Sequence, residues 1–151
     1  MKDRIKITGD VVIERRKKDG SVIDREEIKN LIVTVGKSRV RDLIGDGIGT
    51  GLTGFSYIAI GTGITGALVG DTSLETEVAR ELSIVGSSGV DKVTFEKTFD
   101  FETGDSYAIT EAGVGDSASS TGDTLLDRFV FTAKNVDVDT DLYVKITITV
   151  S

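Results

Sequence analysis

Phe55–Arg80 reads FSYIAIGTGITGALVGDTSLETEVAR, and the placement of its glycines decides between a nucleotide-binding α/β fold and a β fold. Gly61, Gly63 and Gly66 form a Gly-x-Gly-x-x-Gly string directly after an apolar, strand-like run. A dinucleotide site needs that string to open a long amphipathic helix within a parallel βαβ unit, so that the helix's first amides face the pyrophosphate. Here Ala67-Leu68-Val69 is followed at once by Gly70-Asp71, which stops a helix before an apolar face is built. The string therefore belongs to turns between strands. Phe55, Tyr57, Ala59 and Gly61 alternate with Ser56, Ile58 and Ile60, which predicts a central strand covered on both faces. The acidic piece Thr72–Val78 is expected to cap a single helical turn with Leu74 and Val78 pointing inward. Leu82-Ser83-Ile84-Val85 then begins another strand.

Outward from this stretch the pattern remains β. In KVTFEKTFDF (92–101), Val93, Phe95, Phe99 and Phe101 share one face, and Lys97, the exception on it, is expected at an edge or rim. Tyr107–Val114 reads as a strand, Gly115–Asp123 as a low-complexity turn, and Leu125–Phe131 as a further strand. The last strand is the clearest, with Leu142, Val144, Ile146, Ile148 and Val150 inward and Tyr143, Lys145, Thr147 and Thr149 outward. Toward the N-terminus, Ile5, Ile7, Val11 and Ile13 flank Gly9-Asp10, Lys18-Asp19-Gly20-Ser21 turns the chain, and Val22-Ile23 returns as a hairpin. Leu31–Val35 favours extended structure, and Val40, Leu43 and Ile44 have helical spacing, so a short helix is expected over 36–44 with Ser38 as a candidate cap. Gly45-Asp46-Gly47 ends it, and Gly49–Gly54 forms a connection. About eight strands with closely spaced turns predict a mainly β chain, an antiparallel β-sandwich or jelly-roll-like single domain. Its N-terminal hairpin arm, part of the same unit, covers 1–30 and its β-sandwich body 31–151.

Composition narrows the chemistry. A chain of 151 residues can bury on the order of 70% of its unfolded surface, enough for a real core. It has no cysteine and no histidine, which removes disulfides, thiolate chemistry, the commonest general base and the commonest zinc ligand. No stretch approaches the roughly 20 apolar residues of a membrane span, and the start MKDRIK lacks the apolar run of a signal peptide. Asp137, Asp139 and Asp141 alternate like calcium ligands, but the apolar strand Val144–Val150 stands where an EF-hand places its last acid. Gly-Asp pairs at 45–46, 70–71, 104–105, 115–116 and 122–123 match turn chemistry without a ligand. No catalytic, cofactor-binding or metal-binding residue is assigned.

Charge is divided unevenly. Residues 1–42 hold twelve Lys or Arg against eight Asp or Glu, and residues 43–151 hold six against seventeen, so a basic segment of +4 precedes an acidic body of −11. The acidic body would repel a nucleic-acid duplex. Arg15-Arg16-Lys17-Lys18 is the densest basic run; it is either the solvated tip of the hairpin or a surface for phosphate or an acidic protein partner.

The ordered phrases of the chain resemble a family of small tailed-phage virion proteins. They are Ile5-Lys6-Ile7-Thr8-Gly9, Lys29–Val33 with Gly36-Lys37, Ile58–Gly63, Asp71–Glu77 with Arg80, Thr110-Glu111-Ala112-Gly113, and the closing alternating strand. The resemblance spans nearly the whole chain and implies a virion structural protein, assembled in the host cytoplasm, with no catalytic residues to carry over. That family holds both head- and tail-associated proteins; a compact β domain with a charged hairpin arm and no coiled-coil heptads suits a capsid decoration (cement) protein. Decoration proteins resembling this module are commonly homotrimers that contact the major capsid protein or neighbouring virion proteins, with neither nucleic acid nor membrane expected as a direct partner. The partner contact expected from the hairpin comprises Ile5, Ile7, Val11, Ile13 and Arg15, Arg16, Lys17, Lys18. A tail or baseplate component using loops 45–54 and 115–123 is the second reading, and a carbohydrate-active enzyme using paired carboxylates the third.

Overall fold

Alternating apolar residues become strand pairing along almost the entire chain. In the computed structural model, which describes residues 4–45 and 52–151, β1 (Ile7–Lys17) and β2 (Val22–Lys29) form the expected hairpin. Gly20 carries its turn at φ 88°, a conformation open to glycine. The chain continues through β3 (Leu31–Ile32), α1 (Thr34–Ile44), β4 (Tyr57–Gly61), β5 (Glu77–Leu82), β6 (Ile84–Ser87) and β7 (Lys92–Phe99). It closes with β8 (Ser106–Gly115), β9 (Leu125–Asp137) and β10 (Thr140–Val150).

All strand pairs are antiparallel and join in one ten-stranded sheet. β10 lies between β1 and β7 along most of its length but meets β9 only at Thr140↔Asp137. The sheet therefore folds at the β9–β10 corner into two wings, β2-β1-β10-β7-β6 and β3-β9-β8-β4-β5. Val11 and Ile13 of β1, Phe95 and Phe99 of β7, and Leu142–Ile148 of β10 meet Ile58, Ile60, Val114, Phe129 and Phe131 of the other wing in one apolar cluster. The sandwich character of the fold thus comes from a single sheet turned onto itself.

Three local expectations change. The helix begins at Thr34 rather than 36, so Ser38 lies inside it; Val33 occupies the cap position and supplies no side-chain bond. Thr72–Thr76 makes no helical turn, because the amides of Glu75 and Thr76 are drawn to the Glu111 carboxylate instead. The hairpin is not an arm: β1 pairs with β10 from Ile7↔Val150 to Lys17↔Thr140 and is built into the sheet. The helix stop at Gly45–Gly47 and the loop 45–54 fall mostly on residues outside the described ones.

Candidate functional site

Thr110, Glu111 and Arg128 stand in strands that hydrophobic alternation alone would leave half exposed. A register irregularity between Ile109 and Glu111 changes which residues of β8 face the core. Tyr107 and Ile109 contact the apolar cluster before it, and Ala112 and Val114 after it. Glu111 consequently points to the outer face of its wing, where it meets Arg128 from β9. A loop, residues 62–76, covers that face.

Glu111 is fully buried and both its carboxylate oxygens are occupied. Oε1 accepts the amides of Gly63 at 3.0 Å and Thr76 at 2.7 Å; Oε2 accepts the amide of Glu75 at 2.9 Å and Nε of Arg128 at 2.9 Å. Arg128, also buried, donates further to Asp71 Oδ2 and to the Thr65 carbonyl, each at 2.9 Å. Thr110 Oγ1 donates to the carbonyl of Gly63. Three sheet residues thereby hold both ends of the covering loop. The first two glycines of the string now have their cause, since a Cβ on Gly61 or Gly63 would come within 2.6 or 2.5 Å of Glu111 Oε1, whereas one on Gly66 would meet open space. The glycines admit a carboxylate, where a nucleotide fold would admit a phosphate.

Above this joint lies an open depression of about 520 Å³ lined by Thr65, Gly70–Glu75 and Arg128. Its one cationic group, Arg128, is already committed at three nitrogens, and Asp71 and Glu75 accept the amides of Leu68 and Thr65. The arrangement cross-links backbone. Its donors and acceptors satisfy one another, as buried polar groups must.

A second buried acid, Asp127, sits at the entry to β9. Its Oδ1 accepts the Val114 amide at 2.8 Å, and its Oδ2 accepts Nδ2 of Asn30. Burial outweighs these bonds and pushes its carboxyl up to about 7. Asn30 Oδ1 is buried without a hydrogen-bond partner among the described residues. Gly9 faces this amide with no room for a side chain.

Three other acids of the Gly-Asp pairs, Asp105, Asp116 and Asp123, do turn work, and Asp46 lies outside the described residues. Asp105 accepts the Glu102 amide, Asp116 that of Thr124, and Asp123 those of Asp116 and Ser117. The loop 116–124 is also held by Arg39 of α1 on Asp116 at 2.8 Å and by Arg80 of β5 on Asp123 at 3.0 Å. In the β9–β10 turn, Asp137 accepts the Asp139 amide and Asp141 pairs with Lys18. Among the described residues no three His, Cys, Asp or Glu side chains are grouped to hold a metal.

The expected partner-contact residues separate. Val11 and Ile13 are 1% and 0% exposed and belong to the core, which corrects their assignment as contact residues. Ile7 is half-buried against that core, and Ile5 is exposed. Arg15 binds Asp24 and the Asn135 carbonyl, and Arg16 binds Glu14 and lies 3.7 Å from the Tyr143 ring centroid. Lys18 binds Asp100 and Asp141. Only Lys17 of the run has no ion pair among the described residues.

No protein-family model, curated protein or solved structure matches this chain. The residues that organise the site were within reach of sequence reading at one point: Asp127-Arg128 interrupts the apolar run Leu125–Phe131, and charge inside such a run must be paired. Lys97 sits as expected, half-buried and paired with Glu81 across the rim.

Proposed function

We propose that this chain is a non-enzymatic structural protein of a tailed-phage virion, a capsid decoration protein that binds the head surface and stabilises it through contacts between subunits. The observation that carries this reading is the convergence of the phrases that resemble the family. Ile58–Gly63, Asp71–Glu77 and Thr110–Gly113 all serve one joint, in which Glu111 and Arg128 fasten a loop to the outer face of the sheet. A motif set devoted to rigid shape, with its buried acid enclosed by four donors, suits a part that bears load. Loop 116–124, rooted through Arg39 and Arg80, has the same character.

The basic run as a whole is a weaker contact than its composition suggests. Arg15, Arg16 and Lys18 already neutralise carboxylates of their own chain, so the surface open to an acidic capsid partner is reduced to Lys17, Ile5 and the exposed cations nearby. Imaging of purified particles tests the reading. Density for this fold at regular positions over the head, in hundreds of copies, is the expected result; a handful of copies at the tail would replace it with the tail or baseplate reading.

A further inference from the structure

The four lateral edges of the folded sheet differ in how they are protected. Unpaired strand edges invite another chain, and charge or shortness normally blocks them. β2 presents Asp24, Arg25, Glu26, Glu27 and Lys29. β5 presents Glu77, Arg80 and Glu81, and β3 has only two residues. β6 differs: Ile84-Val85-Gly86-Ser87 carries no charge, pairs with β7 on one side and has no strand on the other among the described residues. The uncharged stretch extends from Leu82 to Val90, and Leu82 and Ile84 are 60% and 74% exposed.

The register gives this edge a direction. Directly opposed residues of antiparallel strands share a face. Ile28↔Val11, Val11↔Ile146, Ile146↔Phe95 and Phe95↔Val85 therefore form one apolar row across the whole wing. Val11, Ile146 and Phe95 are buried, whereas Val85, the last member, remains 47% exposed. The row ends without a neighbour.

We propose that β6 is a self-association edge, where β6 of a second copy adds in antiparallel fashion about a twofold axis and carries the Val85 row on into the next molecule. An extended backbone supplies the main-chain bonds an edge lacks, so the occupant is a strand. A second copy fits it for an electrostatic reason. The chain carries a net charge of −7, so two copies repel over most surfaces, and a twofold contact sets one surface patch against an identical one of the same charge. An uncharged strand is where that repulsion is least. The contact leaves other surfaces available for a threefold assembly or for the capsid. It is also independent of the particle assignment: a solution dimer found in no virion would keep it, and a virion protein without this contact would lose it.

The absence of cysteine makes the test direct. Single variants Ile84→Cys, Val85→Cys and Ser87→Cys, with Ser119→Cys in the exposed loop as control, are oxidised mildly as purified protein. At least one β6 position is expected to give covalent dimer well above the control, since a bridge forms only where Cα atoms approach within about 7 Å. Sedimentation of the wild-type chain over a wide concentration range should show reversible dimer, and Val85→Lys or Ser87→Lys, both at exposed positions, should return it to monomer while keeping the melting temperature that the wild type has at concentrations where it is monomeric. A wild-type chain that is monomeric throughout, with no β6 cross-link exceeding the control, overturns the inference. So does a dimer indifferent to both lysines.

Discussion

At the residue scale the decisive group is Glu111, and the cost of its removal follows from its partners. Glu111→Ala would leave Arg128 buried beside three unpaired amides, a loss of about 3–5 kcal/mol by the usual penalty for breaking a buried pair. Chemical denaturation reads this directly. Gly63→Ala should also destabilise, because its new methyl would meet both Glu111 Oε1 and the Glu75 side chain at 2.5 Å. The two losses should sum to more than the double variant's loss, since one clash disappears with the carboxylate. Asp127 gives a pH-dependent signature of opposite sign to an ordinary paired acid. Its folded carboxyl titrates at about 7, above its unfolded value, so the folded state holds the proton more tightly. That stability is fully present below the unfolded value, falls as pH rises between the two, and is gone above about 7. Asp127→Asn keeps an acceptor for the Val114 amide and can donate to the orphaned Asn30 Oδ1 once that amide turns over. It should therefore gain on the wild type progressively from pH 4 to pH 8, by up to ~4 kcal/mol, since each tenfold difference in proton affinity between the folded and unfolded chain is worth about 1.4 kcal/mol. A stability difference independent of pH would contradict the assignment. Sequence places Gly61 and Gly63 in a turn after a strand, but their reason lies at Glu111, 48 residues beyond Gly63. Local pattern cannot carry a contact of that reach.

At the scale of elements, periodicity was enough wherever one face of a strand meets the core and the other meets solvent. β10 and the first hairpin are of this kind, and they appear where alternation puts them, except that Val150, expected inward, is exposed at the strand's end. Legibility fails where a face is covered by a loop: β8 is buried on both faces from Ile109 to Gly115, and Leu74 is buried without the helix its spacing suggests. The helix boundary shifts for a related reason. α1 is set against β9 through Gly36, where a Cβ would lie 2.7 Å from Leu126 Cα. Gly36→Ala therefore opposes two effects. Alanine favours the helix by about 1 kcal/mol, while forced overlap with fixed backbone costs about 1–3 kcal/mol. Net destabilisation is expected, and a rise in melting temperature would show that α1 can lift from the sheet at little cost. Removal of residues 1–25 is expected to abolish cooperative unfolding, because it deletes β1 from between β2 and β10; circular dichroism on the truncated chain checks this.

At the scale of the whole molecule, its charge division is partly cancelled internally. The basic first segment commits Arg15, Arg16 and Lys18 to carboxylates from β1, β2, the β7–β8 connection and β10. The most exposed of these pairs, Lys18 with Asp100, is worth little singly, and the Arg16 pair on buried Glu14 is shielded from screening, so raised salt should leave the folded chain nearly unchanged. Release from a particle under the same salt would then report the intermolecular contact alone, since exposed charges are screened beyond about 8–10 Å at moderate ionic strength. The pairing of β1 with β10 has a further consequence during synthesis. Ile7 finds its partner only at Val150, so the first strand emerges from the ribosome long before the strand that completes its side of the sheet. Until β10 has been made, Val11 and Ile13 have no finished interior to enter. A nascent chain of this topology depends on chaperone shelter or rapid elongation, and it commits to its final shape in one late step rather than piece by piece.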